Sequence, residues 1–163
     1  MLYYNKMDFP DPRHNHQKCT AELIERAERT CARRGSRLTD QRRDILHCVA
    51  QSHAAVGAYD IIERMASHGP RPAPITVYRA LDFLMSHGLI HKVESRNAFV
   101  ACSYAHEGVP AALMVCRSCG TVAELDASAV FASLTAAASS TGFRPEHVVI
   151  ELSGTCRACR EAH

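Results

Sequence analysis

A chain of 163 residues with 47% hydrophobic residues, no Trp and 8 Gly against 7 Pro has enough apolar material for one large core or two small ones, which excludes a wholly disordered protein. No apolar run approaches the roughly 20 residues of a membrane-spanning helix, and the opening stretch is too polar for a secretory leader. The net charge of +2 is unevenly spread: residues 1–105 carry 15 Lys/Arg against 11 Asp/Glu, residues 106–163 carry 4 against 6, so the two halves suit different partners.

Residues 1–18, with Pro10, Pro12, His14 and His16, read as a flexible tail. A first helix is predicted over 18–34, where Leu23, Ile24, Ala27 and Cys31 recur at helical spacing and Gly35 stops it. Thr39 is the expected N-cap of a second helix, with Asp40 at its positive end and Ile45, Leu46 and Val49 inward. A third helix starts near Gly57, presents Tyr59, Ile61, Ile62 and Met65, and breaks at Gly69-Pro70. Pro72 and Pro74 lead into a fourth, 75–87, ended by Gly88. Short β segments follow at 89–94 and 98–102 around a Ser95-Arg96-Asn97 turn. Three helices and a hairpin make a winged helix-turn-helix, with the 18–34 helix as an extra element in front. Further on, strands are expected at 113–116, 121–125 and 147–152, and an Ala-rich helix at 128–140. The fold class is α+β. The expected division is a tail (1–18), a winged-helix domain (19–102), a linker (103–110, with Gly108 and Pro110) and a small α/β metal-binding domain (111–163).

Two Cys-x-x-Cys pairs carry the strongest chemical signal. Cys116, Cys119, Cys156 and Cys159 offer four thiolates at the spacing of a structural zinc. The intervening segment must fold back for both pairs to reach one ion. Eight cysteines without a leader argue for metal chemistry in a reducing, cytoplasmic setting and not for a disulfide scaffold. Cys19, Cys31 and Cys48 fall in helical patterns and read as core or incidental residues.

The fourth helix divides as a DNA-reading helix must. Val77, Leu81 and Leu84 share one face, while Tyr78, Arg79, Asp82 and Ser86 fall on the other. Arg79 suits a bidentate contact to guanine. Thr76 is placed to cap the helix or touch a phosphate. Arg33, Arg34, Arg37, Arg42 and Arg43 gather upstream, where they can neutralise phosphates.

Several runs together resemble the ferric uptake regulator (Fur) family. They are Arg37-Leu38-Thr39-Asp40-Gln41-Arg42, Ala58-Tyr59-Asp60, Thr76-Val77-Tyr78-Arg79-Ala80-Leu81-Asp82-Phe83-Leu84, Gly88-Leu89-Ile90-His91-Lys92-Val93-Glu94-Ser95, the Cys116/Cys119 pair with Gly120, and His147-Val148-Val149-Ile150-Glu151 before the Cys156/Cys159 pair. The likeness spans about residues 20–160, and the Ala-Leu-Asp-Phe-Leu and His-Lys-Val-Glu-Ser runs look most like the zinc uptake regulator (Zur) branch. The resemblance implies a homodimeric, metal-activated transcriptional repressor acting on pseudo-palindromic operator DNA. Residues 111–163 would then form the dimerisation domain. It also implies base contacts from Tyr59 and Arg79. Asp40 stands where the family usually has Pro, and either residue suits a helix start.

A sensor needs a second ion, so two zincs per subunit are expected. The resemblance places His91, Cys102 and Glu124 on the regulatory positions. His106 in the linker is the nearest candidate for the fourth, since the position seven residues before Cys116 is occupied by Val109. A thiolate among nitrogen and oxygen donors favours zinc over iron(II). His147 reads as a surface residue. Two alternatives remain: an iron- or peroxide-sensing relative, against which Cys102 weighs, and a zinc-dependent hydrolytic enzyme. The second lacks support because neither Cys pair follows a Pro and the spacing commits both to one closed shell.

Overall fold

Asn15 sets the start of the chain's first helix. Its side chain accepts a hydrogen bond from the Lys18 N–H at 3.2 Å, so α1 (His16–Arg33) begins two residues before the apolar periodicity suggests. Residues 16–18, expected in the tail, belong to this helix, and most of the remaining tail lies outside the described residues. In the computed structural model, which describes residues 9–10, 15–103 and 110–162, the chain separates into two compact units, one within Pro10–Ala105 and one within His106–His163. Among the described residues no helix is long and apolar enough to cross a membrane.

In the first unit, α2 (Asp40–Val49) starts under a Thr39 cap, as its sequence predicts. The Thr39 Oγ1 accepts from the Arg42 N–H at 3.4 Å. Thr39→Ala is expected to lower the stability of this unit by about 0.5–2 kcal/mol, read as a drop in its melting temperature with DNA-binding residues untouched. Next, α3 (Ala58–Ala66) is capped in reverse: the Gly57 N–H donates to Asp60 Oδ2 at 3.2 Å. Pro74 occupies the first turn of α4 (Pro74–Ser86), where a missing N–H costs nothing. The N-cap is Ala73, so Thr76 lies inside the first turn and does not cap the helix. Gly88, at φ 65°, turns the chain out of α4.

The wing follows as β1 (Ile90–Val93) and β2 (Ala98–Ala101), antiparallel with His91 opposite Val100. A short 3₁₀ turn (Glu94–Arg96) and a left-handed Asn97 replace a simple turn. Val56 pairs with Phe99 through two 2.8 Å backbone bonds and so docks the wing on the helices. The core beneath is built from Ile45, Leu46, Ile61, Ile62, Val77, Leu81, Leu84 and Leu89, all essentially inaccessible to solvent.

The second unit is a three-stranded sheet in the order β4-β3-β5. Its members are β3 (Ala111–Cys116), β4 (Val122–Asp126) and β5 (Glu151–Gly154). The first two are antiparallel across the first Cys pair, and β5 returns parallel to β3 after α5 (Ser128–Ser140). The strand expected at 147–152 is displaced to β5. The ladder with β3 begins only where the Leu113 N–H donates to Ile150 O at 3.0 Å, and it runs on to Gly154. The apolar run over 147–150 marks the approach and not the strand itself. A five-residue helix, α6 (Arg157–Glu161), closes the unit and has no counterpart in the sequence reading.

Candidate metal centres and nucleic-acid surface

The sheet positions the four paired cysteines. Cys116 ends β3, and the chain turns through Gly120, at φ 78°, with the Gly120 N–H donating to Cys116 O at 3.0 Å. The positive φ there is one that only glycine adopts without strain. Cys156 precedes α6, and its N–H donates to Cys116 Sγ at 3.3 Å. The Arg117 N–H donates to Gly154 O at 2.8 Å, which ties the two knuckles together without any metal.

Zinc–sulfur bonds of about 2.3 Å put the sulfurs of a tetrahedral shell about 3.8 Å apart. Here Cys116 and Cys159 Sγ are 3.9 Å apart, and Cys119 and Cys156 Sγ are 3.8 Å apart. All four lie within 4.8 Å of one another, and none is in a disulfide. The donor set and its dimensions fit a zinc ion.

The thiol chemistry is uneven. Backbone N–H groups from Cys119 and Cys156 hold the Cys116 thiol down at about 6, from an ordinary 9.0. Cys119 is lowered too, chiefly by the Thr121 hydroxyl, whose oxygen lies 3.3 Å from its sulfur. Cys159 is pushed up to about 12, first by its hydrogen bond with Cys156 and then by burial. Four crowded sulfurs resist carrying charge together. A dication removes the conflict by holding all of them as thiolates and releasing their protons.

A second set of donors is partly assembled in the first unit. His91 projects from β1, and Cys102 follows β2 with 2% of its surface exposed. A His91 ring nitrogen and Cys102 Sγ lie within 4.8 Å of each other. The Cys102 N–H donates to Leu89 O at 3.0 Å, and Arg26 of α1 donates to Cys102 O. Glu124 sits on β4 of the other unit, opposite Leu113 and 4% exposed. His106 and Val109 lie outside the described residues. His147 is exposed.

The fourth helix, α4, presents the expected faces. Val77, Leu81 and Leu84 are buried, and Tyr78, Arg79, Asp82 and Ser86 are exposed. Tyr59, in the first turn of α3, is 67% exposed. The Arg cluster divides in two. Arg34 donates to Ser86 O at 2.6 Å, Arg43 pairs with Glu28, and Arg42 lies with its Cζ 3.5 Å from the Phe83 ring centroid while donating to Arg37 O at 2.7 Å. These three hold helices together. Arg37 itself is exposed. Packing of this kind leaves no trace in sequence spacing, so the cluster looks uniformly solvent-facing until the helices are placed.

Comparison with known proteins adds the following. The model of the ferric uptake regulator family matches residues 33–153. A zinc uptake regulation protein of Escherichia coli K12 is 41% identical over 143 residues, covering 87% of this chain and 84% of that protein. A peroxide operon regulator of Bacillus subtilis is 28% identical over 85% of this chain and 94% of its own length. Among solved structures, a zinc uptake regulator complexed with zinc and DNA aligns with a TM-score of 0.82 at 40% identity, covering 88% of this chain and 96% of that one.

Proposed function

The chain belongs to the ferric uptake regulator family, and from that premise we propose that it is a zinc-responsive, DNA-binding transcriptional repressor controlling zinc-uptake genes, with zinc as corepressor. The family consists of transcription regulators, so the chain is not an enzyme. The fold agrees: a winged-helix unit precedes a small α/β unit.

Two zincs per subunit are assigned. One is structural, at Cys116, Cys119, Cys156 and Cys159. The other is regulatory and exchangeable, with His91 and Cys102 as its first donors and Glu124 and His106 completing the shell. The observation that carries the zinc reading is Cys102: a buried thiol beside an imidazole is a soft donor pair that favours zinc over iron(II). The similarity to a zinc uptake regulation protein at 41% identity, against 28% for a peroxide regulator, points the same way.

Operator contacts are assigned to Tyr59, Tyr78 and Arg79 at base edges, and to Thr76, Arg37 and Arg42 at phosphates. Arg42 acts chiefly by holding Arg37 in place. The protein works as a homodimer on pseudo-palindromic DNA. The second unit supports this with exposed Val130, Leu134, Phe143, Val149 and Leu152, apolar side chains that a second copy would cover. The reading implies a cytoplasmic protein.

Regulatory zinc shifts the population toward the DNA-binding arrangement by its higher affinity for that state. Cys102→Ser is therefore expected to reduce the zinc count by one per subunit in native mass spectrometry. It should also weaken operator binding by about 5–150-fold in a gel shift at saturating zinc. Unchanged operator affinity with the structural ion retained would reject the regulatory assignment. Operator binding supported by iron(II) but not by zinc would favour the iron-sensing alternative.

A further inference from the structure

Among the described residues of the winged-helix unit, three large apolar side chains are left in water: Tyr59 at 67% exposure, Ile75 at 59% and Tyr78 at 38%. Both tyrosines are assigned to base edges in the function proposed above. Ile75 has no role there, and the fold gives it none. It is the second residue of α4, directly after Pro74. The core is completed without it, by Val77, Ala80, Leu81 and Leu84 of the same helix. Helix propensity does not call for it either, since a β-branched residue is a poorer helix former than alanine.

Its placement suits a helix that reads DNA. Ile75, Tyr78, Arg79 and Asp82 follow the i, i+3, i+4, i+7 spacing, so they form one stripe along α4, and all four are exposed. Residues at the N-terminal end of a recognition helix are the ones that reach base edges, and Ile75 is in the first turn. That turn holds no acidic residue to repel phosphates. With a rise of about 1.5 Å per residue, Ile75 stands about 6 Å along the axis from Arg79. Base pairs are spaced by about 3.4 Å, so Ile75 faces a pair within about two steps of the one Arg79 meets.

We propose that Ile75 is a specificity-determining residue that reads a thymine methyl in each operator half-site, close to the guanine taken by Arg79. The inference rests on the DNA-reading role assigned to α4 above. The thymine methyl is the apolar group that a base edge presents in the major groove. An isoleucine in a helix is held near one χ1 rotamer, so little freedom is lost when it meets that methyl. The contact is uncharged and adds discrimination without adding to the salt dependence of binding.

Deoxyuridine in place of thymidine removes the methyl and keeps the base pair, which gives a direct test. A duplex is selected from random sequence with the purified full-length, zinc-loaded protein, and each thymidine in it is then replaced singly. The wild type is expected to lose affinity roughly 4-fold at one thymine position in each half-site, and roughly 15-fold with both replaced, as for burial of one methyl-sized group at each. Ile75→Ala is expected to bind the unmodified duplex more weakly and to ignore those two replacements, with melting temperature, zinc content and salt slope unchanged. No methyl-dependent position in the wild type overturns the proposal. So does the same uracil penalty in Ile75→Ala, and a penalty that vanishes only in Tyr78→Ala moves the contact to Tyr78. Failure to select any defined sequence at saturating zinc overturns the DNA-reading role and this inference with it. A defined site read equally well by Ile75→Ala overturns this inference alone.

Discussion

Cys116→Ser is expected to abolish the folded state of the His106–His163 unit while leaving the helices of the first unit intact. The second unit has little to hold it without metal. Its sheet has three short strands, α5 has no buried residue, and several large apolar side chains face water. In small zinc-bound units the metal contributes about 10–16 kcal/mol of apparent binding free energy, and that energy is folding energy. Serine removes one thiolate and the sulfur that accepts the Cys156 N–H. Circular dichroism should show loss of most strand signal and of the part of the helical signal due to α5 and α6, with that of α1 to α4 retained, gel filtration should show loss of the dimer, and the zinc count should drop. A variant that keeps its dimer and a cooperative melt near the wild-type temperature would remove zinc from this structural role. Acid should have the same effect as the substitution, because all four sulfurs must be thiolates. Whatever fold the metal-free unit retains is favoured by the Cys116 thiolate, held at about 6 against an ordinary 9.0, and that contribution is fully present above pH 9. That contribution is lost as pH falls through 6.

The second large effect is expected from Arg79→Ala. Arg79 is exposed on the first half of α4, next to Tyr78, while Val77 and Leu81 beside it lock the helix to the core. Removing a bidentate arginine–guanine contact costs about 1–3 kcal/mol for each half-site. A homodimer loses it twice, so specific affinity should fall by about 2–6 kcal/mol, roughly 30-fold to more than 10⁴-fold. Zinc content and melting temperature should stay unchanged, since the exposed side chain makes no hydrogen bond or ion pair among the described residues. Discrimination at one base pair per half-site should relax, and the salt dependence of binding should flatten only slightly. Arg37→Ala offers the contrast: a uniform loss across sequences and a clear drop in salt slope. Equal losses on operator and random DNA for Arg79→Ala would make it a phosphate contact.

Much of this architecture is legible before any coordinates. The Thr39-Asp40 start of α2, the Gly88 stop of α4 and the two-faced pattern of Val77, Leu81 and Leu84 each follow from a local rule, and each holds. The paired cysteines announce their shell because ligand spacing is itself local. Expectations falter where tertiary pairing decides. The strand expected over 147–152 moved because the register with β3, not the apolar run, sets where pairing begins. The short helix α6 lacks enough turns to show a period. Arg34, Arg42 and Arg43 look wholly solvent-facing until their partners on other helices are seen.

The parallel pairing of β3 with β5 has a consequence for synthesis. The central strand leaves the ribosome with only β4 to pair with, and it must wait through α5 for its other neighbour. Loop closure over that span is slow, and parallel pairing cannot be rehearsed locally. The winged-helix unit, whose core residues all lie upstream, can complete its core during this delay. A nascent subunit is thus competent to touch DNA before it can dimerise. Cys116 and Cys119 meanwhile stand exposed as a two-thiolate chelate. Zinc captured there during translation would meet the second pair as soon as it emerges, making the metal a participant in the order of assembly.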